Sequence, residues 1–204
     1  MSRCYEWRNL TTVRSESLRA SRLSRYNRRV FRLRDYRLGD FEELYRIDTD
    51  CFEPGIAYSR GELQSYVQRK QSFCIIAELE PQPAAAEAGV DPSQMNQRAA
   101  GSAVGKPKER IAGFVVVELQ RQAIGHIITL DVRRDFRRHQ LGSLLMQAAE
   151  ERVRKLGGFM MQLETAVNNA AALAFYERHR YRILKRLPRY YARNLDALFL
   201  TKRL

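Results

Sequence analysis

Cysteine is scarce. Cys4, Cys51 and Cys74 are odd in number, far apart and without metal-ligand spacing, which argues against a disulfide framework or a zinc site and for reduced thiols in a cytoplasmic protein. A reactive thiol at Cys51 is the alternative, but no neighbouring base accompanies it. Long apolar runs are also missing. The stretch Ile111 to Leu119 falls well short of the roughly 18 apolar residues that cross a bilayer, so no membrane role is expected. Residues 1–29 have no apolar segment of the kind a secretory leader carries. Acidic residues are outnumbered, 23 against 36 basic ones, for a net charge of +13.

That charge is unevenly placed. Residues 1–37 contain eleven arginines against Glu6, Glu16 and Asp35, a net +8, which leaves +5 for the other 167 residues. The excess is thus expected on an N-terminal arm, residues 1–28, rather than on the folded body. Such an arm could contact RNA or a ribosome through phosphates, or remain a solvated, disordered tail. The remaining 29–204 suit one domain with a sizeable core. Residues 81–109, rich in Pro, Ala, Gln and Gly and without periodicity, are expected to form a flexible insertion.

Hydrophobic periodicity orders the elements along the chain. A strand is expected over Val30 to Tyr36. Gly39-Asp40 then caps a helix with Phe41, Leu44, Tyr45 and Ile47 on one face, ending near Cys51. Ser59 caps a second helix to about Gln68. Strands follow at Phe73–Leu79, Ile111–Leu119 and Ile124–Val132, the last two paired across a turn at Arg121-Gln122. A helix over Leu141–Leu156 turns Leu144, Leu145, Ala148, Val153 and Leu156 inward and stops at Gly157-Gly158. Strand Phe159–Glu164, helix Asn169–His179 and strands Tyr181–Leu187 and Ala197–Thr201 complete the chain, with Pro188-Arg189-Tyr190-Tyr191 read as the last turn.

The most informative stretch joins the strand Ile124–Leu130 to the helix at Leu141. A strand, a basic turn and a helix start leave unpaired backbone N–H groups that, with the helix dipole, favour an anion. Arg137 and Arg138 add charge beside it, so a phosphate-bearing ligand is one reading and a turn with solvated arginines the other. Gly125 to Val132 followed by Arg137-Arg138-His139-Gln140-Leu141-Gly142 resembles the acetyl-CoA motif of the GNAT N-acetyltransferases, Gln/Arg-x-x-Gly-x-Gly/Ala, with Gln140 in place of the first glycine. If that place needs a positive φ, glutamine is strained there. The order β-α-α-β-β-β-α-β-α-β-β is also that of the GNAT fold. The class expected is therefore α/β (α+β), a mixed, mostly antiparallel central sheet with helices on both faces.

A second segment, Leu163-Glu164-Thr165-Ala166 through Asn169 to Phe175-Tyr176 and Tyr181, resembles the RimI-type protein N-terminal acetyltransferases, which act on the N-terminal alanine of a ribosomal protein. The resemblance implies Glu164 as general base, Tyr176 as general acid and Asn169 as a CoA contact; the family's arginine two residues after the base is Ala166 here. It further implies acetyl-CoA as cosubstrate, held by Leu130, Asp131, Val132, Arg137, Arg138, His139, Gln140, Leu141, Gly142, Ser143, Asn169 and Tyr176, with no metal. Phe52, Pro54, Ile56 and Tyr58 on one side and Tyr190 and Tyr191 on the other match the walls around the peptide acceptor. Apart from the resemblance, Glu164 could be a satisfied strand-end carboxylate and Tyr176 a core aromatic. His126 and His179 read as structural, with His126 and Glu118 as reserve bases, and Asp131 as a cap or an arginine partner. A GNAT acting on a small amine, or a basic ribosome-associated module without turnover, are the rival readings.

Overall fold

The computed structural model describes residues 31–52, 56–80 and 110–204. The arm, Val30, Pro54 and the 81–109 insertion lie outside the described residues. Seven strands make one sheet: β1 (Phe31–Asp35), β2 (Ser72–Leu79), β3 (Ile111–Gln120), β4 (Ile124–Val132), β5 (Met160–Ala166), β6 (Arg182–Tyr191) and β7 (Leu195–Arg203). Their spatial order is β1-β2-β3-β4-β5-β7-β6. Every neighbour pair is antiparallel except β4 and β5.

Helices cover both faces. On one, α1 (Phe41–Cys51) and α2 (Arg60–Gln68) bury Phe41, Leu44, Ile47, Leu63 and Val67 against Ile76, Phe114 and Val116. On the other, α3 (Leu141–Lys155) and α4 (Ala170–Arg178) pack over Val115, Val117, Ile127, Met161 and Leu163. Ser59 caps α2 as expected, accepting from the Glu62 N–H while Glu62 returns to the Ser59 N–H at 2.9 Å. Asp40 stands at the cap position of α1, but its carboxylate does not cap. It turns back to Arg34 and to the Arg37 N–H at 2.7 Å, closing a short 3-10 turn instead.

Helix α3 stops where Gly157 takes φ +82°, with Gly157 N–H bonding to Arg154 O and Gly158 N–H to Val153 O at 2.8 Å. Its inward face is Leu141, Leu145, Met146, Ala149 and Val153. Leu144 and Ala148 only flank the core, and Leu156 is 53% exposed, because the glycine stop unwinds the last turn away from the sheet. The final hairpin also departs from expectation. β6 runs on through Pro188 to Tyr191, and the turn is Ala192–Asn194 with Asn194 at φ 61°. Proline is tolerated because β6 is the sheet's edge strand, with a register irregularity between Leu187 and Tyr191.

Two features of β4 set up everything that follows. Its parallel pairing with β5 covers only Ile124–Met160, Gly125–Met161 and His126–Gln162. Next to it, the β3 partners jump from Thr129 to Ile127, so Ile128 is the extra residue of a bulge. A bulge bends its strand and re-aims the side chains beyond it. Before it, Ile127 faces the α3 core; after it Leu130 and Val132 do, and Asp131 turns toward α1. Gly113 sits opposite Val132, where an added Cβ would lie 2.5 Å from the Asp131 carbonyl oxygen. Gly113→Ala must therefore push β4 from β3. A loss of about 1–3 kcal/mol in denaturant unfolding is expected, and an unchanged midpoint would contradict this packing.

Candidate active site

Beyond His126 and Gln162 the two central strands diverge, β4 staying with β3 and β5 with β7. Backbone groups of β4 that point across this fork have no strand to bond. One of them, the bulge carbonyl of Ile128, accepts instead from the Tyr58 hydroxyl at 3.2 Å. Met161 and Leu163 enter the α3 core, so the two-residue period turns Gln162 and Glu164 to the opposite face.

At the apex of the fork these polar side chains form a chain of hydrogen bonds. Gln162 Nε2 donates to Gln120 Oε1 at 2.8 Å, Gln120 Nε2 to His126 Nδ1 at 3.1 Å, and His126 Nε2 meets Glu164 Oε2 at 2.7 Å. Each donor in turn assigns the next group. With the Gln120 amide donating to Nδ1, the His126 proton sits on Nε2 and is given to Glu164. Glu164 Oε1 has no hydrogen-bond partner among the described residues. His126, weighed as a structural residue or reserve base, is thus the direct partner of Glu164. Glu118, the other reserve, is occupied by Arg69 at 2.9 Å and Gln71 at 3.2 Å.

Three tyrosines surround this carboxylate. The Glu164 charge raises the phenol pKa of Tyr58, Tyr190 and Tyr191, with burial as the larger cause in each. Tyr190 and Tyr191 stand edge to face at 5.0 Å, and Tyr58 packs on Tyr66 at 5.4 Å. Tyr66 was not anticipated: on α2 it reads as an ordinary flank of Leu63 and Val67, and only the fold brings it to the hairpin. Phe52 and Ile56 are half-buried at the end of α1 and after it.

Asp48 anchors this wall from below, accepting the Tyr58 N–H at 3.0 Å. Its other oxygen, and Oδ1 of Asp131, are buried without a partner. Asp131 accepts from the Thr129 hydroxyl at 3.0 Å and neither caps a helix nor pairs with an arginine. Burial raises the Asp131 carboxyl far above its usual range, with the Asp48 charge as the second cause. Cys51 is no activated thiol. Burial raises its pKa, its Sγ donates to Val132 O at 3.5 Å, and Arg137 donates to it at 3.4 Å.

On the other face, the start of α3 forms a cradle. Gln140 precedes the helix at φ 59°, in the left-handed region, and no side chain caps the first turn. The first helical bond is Leu144 N–H to Gln140 O, so the amides of Leu141, Gly142 and Ser143 are left for another acceptor. The strain foreseen for glutamine is present. A Cβ on Gly142 would stand in ordinary contact with Phe175 at 3.4 Å and Leu130 at 3.7 Å, so this glycine sets how closely α4 and β4 approach the helix start. Arg137 is not turned toward it; its Nε donates to Val132 O at 3.0 Å. His139 meets Arg137 O, and Ser143 meets His179 Nε2, each at 2.9 Å. Asn169 caps α4, accepting the Ala172 N–H at 3.1 Å. Tyr176 packs on Tyr181 and Phe175. Burial, then the Asp131 charge, raises its phenol above the ordinary value, which keeps the hydroxyl proton in place. The described residues contain no cluster able to hold a metal ion.

A family model described as the acetyltransferase (GNAT) family matches residues 41–181. N-alpha-acetyltransferase 30 of Schizosaccharomyces pombe is 37% identical over 73 residues, 36% of this chain and 49% of that protein. The catalytic subunit NAA20 of the N-terminal acetyltransferase B complex of Arabidopsis thaliana is 29% identical over 102 residues, 48% and 59% of the two chains. The matches thus span about half of these relatives' length. The crystal structure of the ribosomal-protein-S18-alanine N-acetyltransferase of Escherichia coli superposes with a TM-score of 0.64 at 17% identity, covering 85% of this chain and 93% of that one.

The Asp48 anchor has a measurable signature. Its carboxyl is raised from 3.8 to about 6 by burial, so the folded state holds the proton more tightly than the unfolded chain. That stabilisation is complete below about pH 4 and is lost as pH rises through 6. Asp48→Asn keeps an acceptor for Tyr58 but removes the titration. The variant should match the wild type in unfolding free energy near pH 4 and exceed it near pH 7.5 by up to about 3 kcal/mol. Equal gaps at both pH values would refute the assignment.

Proposed function

The chain belongs to the acetyltransferase (GNAT) family, and from that premise we propose that it is an acetyl-CoA-dependent N-acetyltransferase acting on a protein N-terminal α-amine. The observation that carries this reading is the fork between β4 and β5, with a free Glu164 oxygen at its apex and a tyrosine wall beside it. The E. coli structural neighbour acts on a ribosomal protein, and a ribosomal-protein N-terminus is the acceptor class this chain is proposed to share.

Acetyl-CoA, the acetyl donor this family uses, supplies the activated thioester. The cradle suits it: the orphan amides of Leu141, Gly142 and Ser143 and the positive helix end suit a diphosphate. Gln140 holds the turn that aims those amides, and Arg138, His139 and Asn169 flank it. The β4 edge at Leu130, Asp131 and Val132 offers backbone N–H groups for the acyl carbonyl.

Glu164 performs the first proton transfer. An α-amine with a pKa near 8 is mostly protonated at neutral pH, and cannot attack until that proton is removed. Glu164 Oε1 receives it. His126, donating to Oε2, fixes the carboxylate's orientation and stabilises its charge. The phenol of Tyr176 keeps its proton until a departing thiolate needs it. Tyr58, Tyr66, Tyr190 and Tyr191 shape a narrow passage that suits an extended N-terminus, and excludes a lysine embedded in a helix.

Peptides with free or blocked N-termini test the proposal, with spermidine as a competing small amine. Acetylation of the free α-amine is expected; activity confined to blocked, lysine-bearing peptides, or to spermidine, would overturn it. Glu164→Gln should lower kcat by about 10²–10⁴-fold and leave the affinity for acetyl-CoA nearly unchanged, with Tyr176→Phe behaving likewise. Gly142→Val should instead abolish acetyl-CoA binding in calorimetry.

A further inference from the structure

The placement of charge differs from the expectation that the excess sits on the arm. Residues 178–204 carry nine lysines and arginines against Asp196 alone, a net +8, as much as residues 1–37. The stretch between these ends, residues 38–177, is net negative. In the fold the basic residues gather at one place: the end of α4, the edge strand β6 and the end of β7. Arg34, Arg60, Arg69 and Arg152 elsewhere each meet a carboxylate. Arg178, Arg180, Arg182 and Arg203 have none among the described residues, whereas Asp196 pairs with Arg186 at 2.6 Å and accepts the Arg189 N–H at 2.7 Å.

Two further observations show a built surface rather than a solvated face. Arg154, Arg178, Arg180, Lys202 and Arg203 line a cavity of about 680 Å³ with Glu150 at its floor. Glu150 holds Lys202 Nζ at 2.7 Å from both oxygens and accepts from the Tyr181 hydroxyl at 3.2 Å. Glu150 thus neutralises Lys202 and, at 3.7 Å, Arg154, while Arg178, Arg180 and Arg203 on the same wall have no carboxylate partner among the described residues. Arg180 itself stands at φ 66°, at a helix end where glycine is the unstrained choice, with its N–H on Glu177 O and that of Tyr181 on Tyr176 O. An arginine kept in a left-handed conformation on the wall of a basic cavity points to a use for its side chain.

We propose that this C-terminal basic band, which adjoins the start of α3 through the His179–Ser143 contact at 2.9 Å, is a docking surface for the phosphate backbone of RNA. Seven of the nine cations are arginine, whose planar fork fits phosphate oxygens in pairs. β6 extends the band over ten residues, about 33 Å of strand, with Arg182, Lys185, Arg186 and Arg189 along it and Asp196 of β7 offsetting only Arg186 and Arg189. The concave rim favours a flexible chain over a flat lipid surface. An acidic polypeptide is the competing occupant and is separated by the test. The inference does not rest on the acetyl-transfer reading.

The test uses the full chain, arm included, and a fluorescent oligouridine, following anisotropy from about 50 to about 200 mM salt. Combined substitution Arg178→Gln, Arg180→Gly and Arg182→Gln removes three phosphate contacts, so the slope of log affinity against log salt should fall by about 2. Arg180→Gly alone should lower it by about 0.7, and glycine suits that backbone, so a folding defect cannot mimic the loss. Peptide acetylation should not change in either variant. An unaltered slope would place RNA contact on the arm and overturn the inference. So would displacement of the RNA by acetyl-CoA, or binding of poly-glutamate or phosphatidylserine vesicles as tight as that of RNA. Loss of RNA slope in a chain without acetyltransferase activity would leave this inference standing while the activity reading falls.

Discussion

The site depends on an interruption of backbone hydrogen bonding. β4 and β5 share three residue pairs and then part, while the Ile128 bulge bends β4 two residues further on. A sheet ordinarily satisfies its central strands completely, and unpaired groups inside it are costly. Here the opened groups line a fork that a bound acyl chain and an incoming amine can occupy. The same bulge sends Asp131 toward α1 and Leu130 toward α3. One extra residue therefore divides the α1 side of β4 from its α3 side.

Around that opening the protein keeps its polar groups in defined states. Gln162, Gln120 and His126 form a one-way series of donors ending on Glu164, leaving the carboxylate one engaged oxygen and one free. Beside Glu164, burial raises the phenols of Tyr58, Tyr190 and Tyr191, which keeps these hydroxyls protonated next to the carboxylate. On the cofactor face the orphan amides of α3 supply positive potential without a charged side chain, since Arg137 is committed to Val132 and Cys51. The basic residues at the far end of the sheet take no part in this arrangement.

Much of the architecture follows from local signals. Ser59 with Glu62, Gly157 after Lys155, and the apolar alternation of the strands each carry a local physical cause, and each element forms close to where that cause places it. Glu164, Tyr176, Gly142 and the tyrosine pair were recognisable because short motifs surround them. What escaped was decided by tertiary context. Pro188 reads as a turn residue unless β6 is known to be an edge. Leu156 reads as core unless the helix is known to unwind before it. His126 and Tyr66 acquire their roles from residues 38 and more than 120 positions away, at Glu164 and at Tyr190, and no window along the chain contains both partners. The basic band is legible as the nine cations of residues 178–204, but the Glu150 and Arg154 that join it on α3 are brought there only by folding.

Cys51, at the last turn of α1, shares a contact set with the other half of the molecule. Its sulfur bonds to the end of β4 and receives the guanidinium of Arg137, which begins the turn leading to α3. The end of α1 and the turn that leads to α3 are thus fastened to one another, with Arg134 donating to Asp50 O at 3.4 Å as a second link. The last turn of α1 on one face of the sheet and the approach to α3 on the other are in this way tied by side chains that cross the end of β4.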